Sequence, residues 1–251
     1  MFQSRIAYAV CMGLAAVIAT YWIRRRQRSM NLDTMQRIGI LVGGLVGATV
    51  GAKLPFLLAG TFAGGNPLDL WFSDGKTVLW GLAGGYLGVE FAKWTFYVRV
   101  STGDSFVIPI AIAIAIGRIG CLLYGCCYGI ATNQQWGMRF PTADDGGLLL
   151  RHPAQLYEFA FHIAFACAAY YGIRQQKAMR HWMLLYLIAY ASFRFISESW
   201  RPELRLAGGL TFYQWSSVGI GIGFSALLLW RLRVEKMTIR LNNDPESKFG
   251  I

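Results

Sequence analysis

Seven apolar runs decide what this chain can become. They lie near residues 5–23, 37–61, 77–97, 105–129, 154–173, 182–198 and 212–230. Each is long enough to cross a bilayer core of roughly 30 Å as a helix, at about 1.5 Å per residue. Hydrocarbon offers no water to satisfy backbone N–H and C=O groups, so spans of this length must be helical. Only 15% of the residues are charged, where a soluble domain carries about 25%. The expected fold is all-α: a polytopic membrane protein of about seven transmembrane helices. It forms a single domain over 1–251 with a polar cytoplasmic tail from about 232. Run 5–23 is too long for a signal-peptide apolar region, and no small-residue cleavage site follows it, so it reads as a retained helix.

The basic residues set the orientation. Arg24, Arg25, Arg26 and Arg28 follow the first run, and Lys93 and Arg99 flank the end of the third. Arg174, Lys177 and Arg180 separate the fifth and sixth, and Arg231, Arg233, Lys236 and Arg240 follow the seventh. If the helices alternate, these regions share one side, which the positive-inside bias makes cytoplasmic. The N-terminus then faces out and the C-terminus in. The outer loops near 62–76, 130–153 and 199–211 mix fewer basic residues with Asp69, Asp74, Asp144, Asp145 and Glu203. Gly64-Gly65-Asn66-Pro67 and Asp144-Asp145-Gly146-Gly147 are turn clusters there. Trp71, Phe72, Trp136 and Phe140 suit the outer interface. The net charge of +11 reads as topology signal and as contact with anionic lipid head groups; no nucleic-acid partner is expected.

Within this frame the buried polar groups stand out. Arg118 lies twelve residues into an apolar run that opens at Phe106. A charge near a bilayer centre costs at least about 2.5–3.5 kcal/mol, which makes it a functional candidate. Gly117, Cys121, Gly125 and Gly129 recur every four residues beside it, which on a helix makes a single ridge of small side chains. Arg118 and Arg194 come out at similar heights, roughly 20 Å and 18 Å above the cytoplasmic face, with His162 at a comparable level. Run six would present Arg194, Glu198 and Arg201 on one stripe, and run five Gln155, Glu158 and His162 on another. Two buried arginines at one depth call for an anion. A carboxylate, Glu198 or Glu158, would serve, and so would a phosphate gripped by paired hydrogen bonds. Arg194 with Glu198 also fits a plain helix–helix staple, and His162 a hydrogen-bonded core histidine. Lys53 and Glu90 are intramembrane too, at depths that make direct pairing unfavourable. The five cysteines, Cys11, Cys121, Cys126, Cys127 and Cys167, read as small packing residues. C-x4-C-C on one helix is poor metal geometry, because adjacent helical residues point about 100° apart.

Three stretches carry a resemblance. Gly117-Arg118-Ile119-Gly120 with Gly129, Arg151-His152-Pro153-Ala154-Gln155-Leu156-Tyr157-Glu158, and Tyr190 to Arg201 with Phe193-Arg194 and Glu198 stand in this order. They resemble G-R-I/L-G-N-x-x-N-G-E-x-x-G, R-H-P-S/T-Q-L-Y-E and Y-x-x-F-R-x-x-x-E-x-x-R of the prolipoprotein diacylglyceryl transferases, multi-pass enzymes of the bacterial inner membrane. That family moves the diacylglyceryl group of phosphatidylglycerol to the lipobox cysteine thiol of a lipoprotein precursor and releases glycerol phosphate. The resemblance implies that Arg118 and Arg194 hold the lipid phosphate and neutralise charge on the leaving group, with Glu198 orienting Arg194. His152, Gln155, Tyr157 and Glu158 would shape the outer rim, and Cys121, Gly129 and Arg201 would complete the substrate contacts. The implied partners are phosphatidylglycerol or another anionic phospholipid, a lipoprotein precursor peptide and the membrane. No metal or organic cofactor is implied.

The chain also departs from the family pattern. Aligning the family's H-G-G-L-I/L-G with Gly84-Gly85-Tyr86-Leu87-Gly88 puts Ala83 in the place of its histidine. Cys121 stands for the signature's first asparagine and Cys126 for its glutamate, and the first helix carries no recognisable tyrosine motif. The acceptor's base must then be another group: His152, Glu90 or His162, the last favoured by its depth and by Glu158 one turn above it. A histidine's ordinary pKa near 6.5 suits that task. The alternatives are an enzyme of the same fold with another acceptor, or a non-catalytic phospholipid-binding or transport protein.

Overall fold

A computed structural model of the chain describes all residues except 1, 29, 63–64, 73–75, 176–180, 204, 206 and 244–251. Gly64, Asp74, Lys177, Arg180 and the end of the tail, named above, lie outside the described residues. Among those described there are eight α-helices and no strand. The seven apolar runs become α1 (Phe2–Gln27), α2 (Thr34–Phe62), α4 (Val78–Thr95), α5 (Gly103–Tyr124), α6 (Ala154–Arg174), α7 (Trp182–Ser197) and α8 (Phe212–Asn243), with a short α3 (Pro67–Phe72) between α2 and α4. Asn66 starts α3: its Oδ1 accepts the Leu68 N–H at 3.1 Å, satisfying one of the free donors of a helix start. Five helices are long and apolar enough to cross a membrane: α1, α2, α5, α6 and α8. The α7 helix has 16 residues, and α4 carries Glu90 and Lys93.

Neighbouring helices run antiparallel in pairs, and small residues make the closest pair. A Cβ on Gly84 would strike the Gly47 carbonyl, one on Gly88 the Gly43 carbonyl and one on Gly51 the Trp80 carbonyl. The backbones of α2 and α4 therefore touch, which only glycine permits along that seam. The α1 and α5 helices meet similarly: Gly120 faces Cys11 and Tyr8, and Gly117 faces Met12. Tyr186, Leu187 and Tyr190 on α7 are fully buried against Leu79, Ala83, Val107, Ala111 and Phe224. An aromatic ladder joins α6 to α7, with Phe161 stacked on Phe193 at 4.6 Å and Phe165 against Tyr186 at 4.9 Å.

Two expectations need correction, and the last helix proves longer than its apolar run. The α5 helix ends at Tyr124, short of 129, because Gly125 adopts φ 85° and caps it, its N–H reaching the Cys121 and Leu122 carbonyls. The ridge of four-residue spacing therefore stops there, and Gly129 lies in the following loop. The α8 helix continues through Arg231, Arg233, Lys236 and Arg240 to Asn243, so the polar segment after 232 extends the last helix. Phe140 is buried and stacks on Tyr128 at 5.2 Å, whereas Phe72 and Trp136 are exposed as expected at an interface.

Candidate active site

The ends of α5 and α7 meet the start of α6 around one carboxylate. Glu158 follows the Arg-His-Pro segment by one and a half turns of α6, and Gln155, Glu158 and His162 share its buried face. Arg118 Nη2 lies 2.6 Å from Glu158 Oε2, Arg194 Nη1 3.1 Å and Arg201 Nη2 2.7 Å from Oε1. Tyr190 Oη donates to Oε2 at 3.0 Å. Arg194 also reaches Glu198 Oε2 at 2.5 Å, one turn on. Arg118 and Arg194, expected to face one anion, thus do so, and the anion is Glu158. Glu158 was expected at the rim; it is 1% exposed and sits at the centre.

Arg201 reaches this centre by another route than the helical stripe. The α7 helix gives way to a 3-10 turn over Glu198–Trp200, and Arg201 takes an extended backbone. Three arginines against Glu158 and Glu198 leave one positive charge in excess. The Nε–H groups of Arg118 and Arg201 are buried without an acceptor among the described residues. A cluster of this kind holds or awaits an anion, because unpaired buried charge is costly.

The outer rim is polar and aromatic. His152 Nδ1 and Tyr157 Oη lie 3.0 Å apart, and Trp136 Nε1 donates to the same Tyr157 oxygen at 2.9 Å. Trp200 packs against both His152 and Tyr157. Gly129 N donates to the His152 carbonyl at 2.8 Å, and a Cβ there would lie 2.5 Å from the Trp200 carbonyl oxygen and 2.8 Å from His152 Cβ. Gly129 therefore fixes the approach of two strands of chain at the rim. Gln155 Nε2 donates to the Cys126 carbonyl at 2.5 Å, and Asp145 accepts from Leu149 N at 3.0 Å and pairs with Arg151 at 3.4 Å.

The three candidate bases are not equivalent. His162 is fully buried, with Nδ1 2.7 Å from Tyr186 Oη and its ring 4.8 Å from that of Tyr190. Glu90 is ion-paired to Lys93 at 3.1 Å and to Arg231 at 3.0 Å. Lys53 is buried elsewhere. His152 alone stands at the partly open rim. Sequence reasoning did not bring together Cys121, Cys126 and Cys127: the turn at Gly125 places their sulfurs within 4.8 Å of one another. The only signal for that was Gly125 itself.

The fold and this centre define a polytopic helical membrane protein with an arginine-rich polar site inside its bundle. Residues 3–230 match the family model for prolipoprotein diacylglyceryl transferases, and the chain belongs to that family. A phosphatidylglycerol–prolipoprotein diacylglyceryl transferase of Cupriavidus necator is 32% identical over 211 residues, covering 78% of this chain and 72% of the relative. Relatives of the same name from Pseudoalteromonas atlantica and Coxiella burnetii are each 30% identical; they cover 90% and 89% of this chain and 85% and 86% of their own lengths.

Proposed function

We propose that this chain transfers the diacylglyceryl group of phosphatidylglycerol to a thiol acceptor, the lipobox cysteine of a lipoprotein precursor. The observation that carries this reading is the convergence of Arg118, Arg194 and Arg201 on Glu158, with one positive charge in excess. A phosphodiester brings one negative charge, and its departure as glycerol phosphate brings a second. Guanidiniums already fixed in place stabilise that developing charge without reorganisation. The thiolate sulfur attacks the glyceryl carbon, the C–O bond to phosphate breaks, and the thiol proton passes to a base. Glu158 and Glu198 hold the arginines in register. Gln155 and Gly129 shape the wall beside them, and Cys121 lies next to Arg118 on the same helix. His152, oriented by Tyr157, is the better placed base; His162 is a buried positioning group beneath Tyr190.

Seven helices, α1, α2 and α4 to α8, cross the bacterial inner membrane as one domain, N-terminus out and C-terminus in, so the rim opens outward. One observation favours a second reading, the same donor with a different nucleophile: Ala83 of α4, aligned with the family's histidine, has no titratable group and is buried beside Tyr186 and Tyr190. The test uses the full chain in detergent with phosphatidylglycerol and a lipobox peptide. Glycerol phosphate release with peptide lipidation is expected, and Arg118→Lys and Arg194→Gln should abolish both, since lysine lacks the planar fork. His152→Gln should lower kcat with donor binding intact. Donor cleavage without peptide lipidation selects the second reading. Unchanged lipid binding and turnover in both arginine variants would overturn the clamp.

A further inference from the structure

We propose that Cys121, Cys126 and Cys127 form a binding site for one thiophilic divalent cation of the zinc class. Their three sulfurs lie within 4.8 Å of one another, and Cys126 Sγ and Cys127 Sγ are 3.6 Å apart. Zinc–thiolate bonds of about 2.3 Å in a tetrahedron separate sulfurs by about 3.8 Å, so these positions close on one ion with small movements. A continuing helix would splay the same residues apart. The chain instead breaks at Gly125 and then takes φ 65° at Cys127, a left-handed backbone that non-glycine residues rarely adopt.

The loop is held from outside the cluster. Gln155 of α6 binds the Cys126 carbonyl at 2.5 Å, Thr142 Oγ1 binds the Gly125 carbonyl, and Gly129 N binds the His152 carbonyl at 2.8 Å. Contacts of this kind orient ligands ahead of the metal. Charge agrees as well. Arg118 stands one turn before Cys121 on α5, and three thiolates on a divalent cation carry one net negative charge against the excess positive charge of the arginine cluster. Three protein ligands leave a fourth position for water or an incoming thiol, the pattern of a reactive rather than a closed structural zinc site. A thiol bound there is deprotonated outright, which would supply the activation that Ala83 cannot. That role rests on the transferase reading; the site does not.

The full chain, purified in detergent without chelator, should retain about one zinc per molecule by elemental analysis. Cobalt exchange should give a sulfur-to-cobalt charge-transfer band. Cys121→Ser, Cys126→Ser and Cys127→Ser should each weaken metal retention at least about tenfold, with Cys11→Ser and Cys167→Ser as unaffected controls. Arg118→Lys should lose turnover yet keep the metal, which separates the two proposals. Cobalt giving no such band with the parent chain would overturn the site, and so would alkylation finding all five thiols free in the presence of zinc. Loss of two hydrogens' mass, marking a disulfide within the cluster, would overturn it in favour of a redox pair.

Discussion

Glu158→Gln tests the centre of the site. The substitution keeps the shape of the side chain and removes its charge. Glu158 is 1% exposed and meets Arg118, Arg194, Arg201 and Tyr190 at 2.6, 3.1, 2.7 and 3.0 Å. Glutamine still accepts two of these hydrogen bonds, but its amide NH2 faces guanidinium donors. The excess positive charge rises from one to two. Removing one partner of a buried ion pair costs about 3–5 kcal/mol, a large part of the 5–15 kcal/mol typical of folded domains. At roughly 2–4 °C per kcal/mol for chains of this size, the Tm in detergent should fall by about 6–20 °C. The loss of helical circular dichroism on heating measures it. Glu158→Gln with Arg201→Gln removes the stranded cation as well and should melt higher than Glu158→Gln alone. Anionic lipid should protect the single variant more than the parent, because a phosphate can take the carboxylate's place. A single variant melting within 2 °C of the parent, or a double variant melting lower than the single, would refute the charge argument.

Gly84→Leu should lower the Tm strongly, since its Cβ meets the Gly47 carbonyl on a seam where two backbones touch; overpacking alone costs about 1–3 kcal/mol. Ala83→His places an imidazole in the packed core around Tyr186 and Tyr190 and should destabilise the chain without raising turnover, while a gain in rate would return the base to that position. Cysteines introduced at 66–68 or 143–147 should react with an impermeant thiol reagent from outside the cell, and one at 175 should not; the reverse labelling would invert the orientation. His162→Gln should cost stability through the lost Tyr186 hydrogen bond and change kcat less than His152→Gln does.

Apolar length and charge placement made the seven helices legible, because a run of some 20 apolar residues has only one conformation open to it in lipid. Arg118, Arg194, Glu158 and Glu198 were legible as buried charges, and depth arithmetic brought the arginines level. What the periodic reading missed lies beyond helix ends. Gly125 could have continued a ridge or capped a helix; its left-handed φ decides for the cap, and the cysteine cluster and the position of Gly129 both follow from that one residue. Arg201 was placed on the right side by helical spacing, yet it reaches Glu158 only because the helix tightens at Glu198. Rotamer direction, invisible to spacing, put Glu158 between the guanidiniums and turned His162 towards Tyr186.

Arg118, Arg194, Arg201, Glu158 and Glu198, the positions that match the motifs quoted above, form one connected ion network. Cys121, in the last turn of α5, and Cys126, aligned with the family's asparagine and glutamate, gather with Cys127 where the next loop begins, and Gln155 holds the Cys126 carbonyl. Ala83, on α4, lies in the apolar core with Tyr186 and Tyr190. On the transferase reading, an ion network that matches the family's motifs would take the same phosphate donor. On the same reading, the cysteine cluster would bear on whatever approaches from the open rim, where His152, Tyr157 and Trp200 pack together. If so, exchanging Cys121 and Cys126 for asparagine and glutamate should leave donor binding as it is and change which acceptor is modified. An unchanged acceptor profile alongside weakened phosphatidylglycerol binding would show instead that the cysteines belong to the donor half.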